Sequence, residues 1–302
     1  MNQTLRVVVL LGVGFGLAVC AMVAMPERIW RRLDVINHRG REVPATLGIA
    51  VFAASVVAQL VAGLVALAVG TELGSDTWAL MAGAALVFTA GLADDLRPRG
   101  PRGLRAHGRA LLERRVTTGA LKAAAAVAGS ILVVLTVHGR TPPVAAAGIL
   151  LIAGSANLWN GLDVAPGRAG KAFVAGATVL MFFSPPALLA RVLGAEAAAL
   201  WPDLRERGML GDAGSNLLGF VLGAALYTQL SDAGILAAAA AAVALNVLAE
   251  TVTLSHVIEA VPPLRWLDRA GRPARPGLPA PEGAGAPVAS EPGGNAEPAG
   301  RR

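Results

Sequence analysis

Long apolar stretches separated by short polar connections run along most of this chain, and their lengths set the first expectation. Leu5 to Met25, Leu47 to Gly70, Trp78 to Ala93, Gly119 to Val137 and Pro143 to Leu158 each have the length and composition of a membrane-crossing helix. Asn216 to Leu230 and Ile235 to Leu254 continue the series. Between them, Lys171 to Trp201 is interrupted by Phe182-Phe183-Ser184-Pro185-Pro186, which predicts two short helices in place of one. The first run lacks an Ala-x-Ala-like exit and leads into a basic loop, so it reads as a retained helix and not a cleaved signal. The fold class expected is therefore an all-α integral membrane protein, a polytopic bundle of about nine transmembrane helices.

Charge orients this pattern. Arg28, Arg31, Arg32, Arg39 and Arg41 fill the loop after the first helix, and Arg97, Arg99, Arg102, Arg105, Arg109, Arg114 and Arg115 fill the loop after the third. By the positive-inside rule both are cytoplasmic, which puts the N-terminus outside and the C-terminus in the cytoplasm. The second loop could lie along the headgroups with Leu104, Leu111 and Leu112 toward lipid, or stay solvated. Parity then decides the break at 182–186. One crossing there would carry Asp212 outside; two return it to the side of Asp94 and Asp163. Residues 1–270 form the membrane domain, and residues 271–302, rich in Pro, Gly, Ala and Glu, read as a disordered cytoplasmic tail.

Composition agrees, with 55% hydrophobic and 15% charged residues. The net charge of +6 would suit nucleic acid, but the basic residues lie in loops between apolar runs, so nucleic acid is not expected as a partner. Cys20 is the single cysteine, which excludes an intrachain disulfide.

Three polar clusters share the cytoplasmic edge in this topology: Asp94-Asp95, then Asn157, Asn160 and Asp163 at three-residue spacing, then Gly211-Asp212-Ala213-Gly214-Ser215. In the last, Gly211 and Gly214 would let backbone approach a ligand, and Ser215 or Asn216 would cap the helix that follows. The first-turn N–H groups would favour an anion. Asp212 would repel that anion unless a divalent cation bridged them, which is how Mg²⁺ is held by one or two carboxylates plus phosphate oxygens. Carboxylates, amides and nearby arginines together suit metal-assisted phosphoryl transfer. Separately, Asn246, Glu250 and Thr253 form a polar stripe on the last helix, and an intramembrane Glu is a functional candidate alongside a structural hydrogen bond.

These motifs, with Asn37-His38-Arg39-Gly40, Val43-Pro44 and Gly48 ahead of them, resemble the polyprenyl-phosphate N-acetylhexosamine-1-phosphate transferases. That family includes phospho-N-acetylmuramoyl-pentapeptide transferase and the enzymes that begin O-antigen and teichoic acid assembly. The resemblance runs from about Asn37 to Gly223 in motif order. It implies a multi-pass enzyme of the cytoplasmic membrane, with its site facing the cytoplasm, that initiates an envelope glycan. The reaction implied transfers a sugar-1-phosphate from a UDP-sugar to a polyprenyl phosphate and releases UMP, with Mg²⁺, or Mn²⁺ in its place, as cofactor.

Carried onto this chain, the resemblance makes Asp212 the main metal ligand. Asp94 or Asp95 would deprotonate the lipid phosphate or help hold metal and phosphate. Asn157, Asn160 and Asp163 would line the nucleotide-sugar cleft with Gly211, Gly214 and Ser215, and Arg39 or Arg41 could contact phosphate. Arg168 and Lys171, the cations after the Val164-to-Gly167 turn, join the substrate-binding set. The family's late His-rich loop is missing, and Glu250 and His256 are secondary candidates to replace it in part. The expected partners are the two substrates, the bilayer and, as an option, a second copy of the chain. The alternative is a non-catalytic relative that binds polyprenyl phosphate or a nucleotide as scaffold or regulator. A transporter reading lacks an internal repeat.

Overall fold

A computed structural model describes residues 3–36, 42–97, 117–183, 186–252 and 254–273. Arg39, Arg41, Thr253, the arginine-rich stretch 98–116 and the tail from 274 onward lie outside the described residues. Residues 1–272 make one compact unit. It begins with helix α1 (Gln3–Ala24), the short α2 (Glu27–Arg32) and an antiparallel hairpin of β1 (Asp34–Ile36) and β2 (Glu42–Pro44), with Val35 opposite Val43. Then come α3 (Leu47–Ala68), α4 (Ser75–Asp95), α5 (Thr118–Thr136), α6 (Pro142–Leu162), α7 (Arg168–Leu180) and α8 (Ala187–Leu204). Helices α9 (Gly211–Gln229), α10 (Asp232–Thr251), α11 (Leu254–Ala260) and α12 (Pro262–Arg269) complete it.

The protein is a helical membrane protein. It is not wholly helical, because β1 and β2 are paired β-structure. Among the described residues 6 helices are long and apolar enough to cross a membrane: α1, α3, α4, α5, α6 and α10. The other three expected spans are not among these, for separate reasons. Helix α7 has 13 residues, which gives only about 20 Å of rise. Helix α8 carries Arg191, Glu196 and Asp203, all buried. Helix α9 spends its first turn on Gly211, Asp212, Ala213 and Gly214. The break at 182–186 does divide this region into two helices.

Helix α9 is the centre of the bundle, buried along nearly its whole length, with α3, α4, α6, α7 and α8 packed around it. Small residues allow the close approach. A Cβ on Gly214 would stand 2.6 Å from the Cα of Gly48 in α3, and Gly219 lies directly against the Ser155 carbonyl of α6. Where lipid tails remove the hydrophobic drive between helices, such contact supplies dispersion energy instead. Helix α1 docks on α8 by the same device, Gly14 against the backbone of Arg191 and Gly194 against that of Leu11. The outward sides of α3 and α10 expose Leu64, Leu67, Val243 and Val247, as lipid-facing surfaces do.

Chain direction brings the C-terminal ends of α4 and α6 and the N-terminal ends of α5, α7 and α9 to one end of the bundle. The segment before α9 is tied there by backbone bonds: Met209 donates to the Pro44 carbonyl at 2.9 Å, and Leu47 donates to the Met209 carbonyl at 3.1 Å. The hairpin therefore sets where α9 begins.

Candidate active site

The α9 helix starts at Gly211, four residues before the position the capping expectation gave to Ser215. Gly211 has φ +69°, and a Cβ there would stand 2.8 Å from Asp95 Oδ2, so both conformation and space demand glycine. The cap comes from another helix. At the end of α4, Asp95 Oδ1 accepts the Asp212 N–H at 2.9 Å and Oδ2 accepts the Ala213 N–H at 3.0 Å. The first-turn amides expected to greet a ligand anion thus hold the protein's own carboxylate. Ser215 and Asn216 turn back instead. Ser215 Oγ lies 2.9 Å from the Gly211 carbonyl oxygen, and Asn216 Nδ2 donates to the Asp212 carbonyl at 2.6 Å. Gly214 serves the contact with α3 and not a ligand approach.

Asp94 and Asp212 meet over a residue that the motifs did not single out. Lys122, on the first turns of α5, places Nζ 2.7 Å from Asp94 Oδ2 and 2.8 Å from Asp212 Oδ2. The three side chains remain partly open, at 17% exposure for Lys122, 23% for Asp94 and 33% for Asp212, so a ligand can reach them from one side. A sequence signal for Lys122 existed: it is the one charged residue within α5, and an ionisable group in such a helix turns toward the bundle interior.

The 157–163 stripe divides. Asp163 follows α6 and lies near the start of α9. Burial, followed by the charges of Asp203, Asp212 and Asp95, pushes its carboxyl well above the usual carboxylate range, against the pull of the Gly211 amide. Asn160 Oδ1 stands 3.2 Å from Ser215 Oγ, on the same side. Asn157 turns away: its Nδ2 donates to Asn246 Oδ1 at 2.7 Å, while Asn246 donates to the Gly154 and Ala242 carbonyls. Each three-residue step falls about 60° short of a full turn, so two steps separate Asn157 from Asp163 by about 120°. Asn246 is accordingly a structural clasp between α6 and α10.

The remaining candidates lie elsewhere. Arg168 makes a bidentate pair with Asp268 at 2.8 and 3.1 Å and donates to Ser255 at 2.8 Å. Lys171 donates to the carbonyls of Leu267, Asp268 and Ala270, capping the C-terminal end of α12 with a cation. Both fasten the last helices to the start of α7. Glu250 and His256 are exposed on α10 and α11 and take no part in the contacts joining Asp94, Asp95, Lys122 and Asp212. Two further acids escaped notice in the sequence. Asp203 lies buried near the end of α8, with its Oδ2 lacking a hydrogen-bond partner. Glu196, fully buried in α8 against Gly170, has no hydrogen-bond partner for either oxygen.

Among the described residues no group of three or more His, Cys, Asp or Glu is arranged to hold a metal. A divalent cation fits this chain in another way: Asp94 and Asp212 already share one cationic nitrogen, and Mg²⁺ commonly takes one or two carboxylates and completes its shell with water and phosphate oxygens. No family model matches the chain, and no curated protein matches it. The family resemblance therefore rests on the short motifs.

Proposed function

We propose that the chain transfers a sugar-1-phosphate from a UDP-sugar to a polyprenyl phosphate at the cytoplasmic face of a membrane, with Mg²⁺ or Mn²⁺ as cofactor. The observation that carries this reading is the meeting of Asp94, Lys122 and Asp212, from three helices, at one partly open end of the bundle. In the proposed reaction a lipid phosphate oxygen attacks the sugar-linked phosphorus of the donor. The bond to UMP breaks, and UMP leaves with the electron pair. Held by Asp94 and Asp212, the metal would offset charge on the phosphates.

The protein's own groups then have distinct tasks. Asp95 positions Asp212 through the α9 amides, which leaves Asp94 to share the metal with Asp212. A phosphate monoester has its second pKa near 6, so near neutral pH the lipid phosphate is already largely dianionic and needs no general base to attack. Lys122 offers a cation beside the transferring group, and Asn160 and Asp163 border the same space. The topology proposed with this reading is the nine-crossing one, N-terminus outside, supported by the arginines of the loops after α1 and α4.

The non-catalytic alternative has its own support: the α9 amides and the Asp94–Asp212 pair already have internal partners. Purified protein given undecaprenyl phosphate, Mg²⁺ and a UDP-sugar separates the two. Transfer predicts UMP release that needs all three and falls at least about 100-fold in Asp212→Asn. Lipid binding without UMP release from any donor supports the scaffold reading.

A further inference from the structure

The bridge made by Lys122 has a consequence for the metal. A divalent cation such as Mg²⁺ binds oxygen at about 2.0–2.1 Å, and an ammonium sits about 2.7–2.9 Å from its carboxylate partners. Asp94 Oδ2 and Asp212 Oδ2 both face Lys122 Nζ, at 2.7 and 2.8 Å. One space between two oxygens has no room for both cations, and their charges repel. The acid that might have taken over the ammonium, Asp95, is engaged with the Asp212 and Ala213 amides.

We propose that Lys122 is a built-in counter-cation at the divalent-metal position, and that metal binding between Asp94 and Asp212 expels its ammonium from between them. The inference rests on the transferase reading for the metal's task, but the exchange itself needs no substrate. Lys122 keeps two acids from repelling one another while the metal is away, and its removal makes room for the metal. The expelled ammonium is a long, flexible donor at a partly open site, free to meet the next anion to arrive.

The test is Mn²⁺ titration followed by electron paramagnetic resonance, on the purified full chain in detergent without nucleotide or lipid. Wild type is expected to bind Mn²⁺ at a site lost in Asp212→Asn. Lys122→Met should tighten binding by at least about tenfold, because the competitor is gone. Lys122→Arg, which keeps the charge and grips carboxylates more firmly, should weaken it, and this arm stands even if the methionine variant does not fold. As an independent readout, reductive methylation of Lys122 followed by mass spectrometry should speed up on adding Mn²⁺. Unchanged Mn²⁺ affinity in both variants, or no Mn²⁺ binding in wild type, would overturn the exchange. A protein that exchanges cations yet transfers no sugar phosphate would remove the transferase reading alone. One that transfers but whose Mn²⁺ affinity ignores Lys122 would remove the exchange alone.

Discussion

Adjacent aspartates at the end of α4 do different work because consecutive helical residues point about 100° apart. Asp94 meets Lys122, and Asp95 meets the backbone of α9. Asp95→Asn, which keeps the shape but removes the charge, should cost about 1–2 kcal/mol of stability, read as a lower thermal midpoint in detergent. Asp94→Asn should move the midpoint less, since Lys122 retains Asp212, and should abolish UMP release. Equal thermal effects would contradict the division of roles. The Asp-Asp pair was visible in the sequence, but its division was not, because no local pattern says that an amide row 117 residues later needs a cap. Lys122 was missed for a related reason: a lone lysine near a helix end reads as a topology signal until its partners are known. Asp163, Asn160 and Asp212 do gather at one end, whereas Asn157 rotates out of register.

At the scale of elements, α8 and the last two helices hold what the hydropathy pattern could not reveal. Glu196 lies buried in α8 with no donor for its carboxyl. Replacing it with Met should stabilise the protein by about 1–3 kcal/mol, because an unpaired buried polar group is costly and methionine fills similar space. A lowered thermal midpoint in Glu196→Met would show that the acid has a task. Helix α12 depends on Asp268, half-buried between Arg168 and Arg272. Burial alone would raise its carboxyl; the Arg168 hydrogen bond and the Arg272 and Arg168 charges outweigh burial and hold it below its ordinary value. A carboxyl with a lower pKa folded than unfolded contributes stability above about pH 4, and that contribution is lost as pH falls through its folded value. Hydrogen exchange of residues 262–272, corrected for intrinsic rates, should therefore rise on acidification and be raised already at neutral pH in Asp268→Asn. Arg168 and Lys171 follow the polar 157–163 cluster in sequence order as cations after a turn, yet both are drawn to the chain's last helix, about a hundred residues on, which composition cannot foresee.

At the scale of the whole molecule, apolar run lengths made the membrane class legible, and helix α9 shows where they fail. A helix enclosed by other helices needs small residues more than apolar ones, so the most buried element has a weak hydropathy signal. The nine-crossing topology predicts opposite accessibility for the two bundle ends. In a Cys20→Ala background, cysteines placed at Ser231 and at Arg205 should react with an impermeant thiol reagent from outside and from inside the cell respectively. Labelling of both from the same side would exclude that topology.

The central claim, metal-dependent transfer at the Asp94–Lys122–Asp212 site, is tested most directly by following radiolabel from a panel of UDP-sugars into the lipid phase. The assay holds purified protein, undecaprenyl phosphate and Mg²⁺, with Asp212→Asn alongside. Transfer from one donor that disappears on chelation and in the variant is the predicted result. A folded protein that binds the lipid yet moves label from no donor would contradict it.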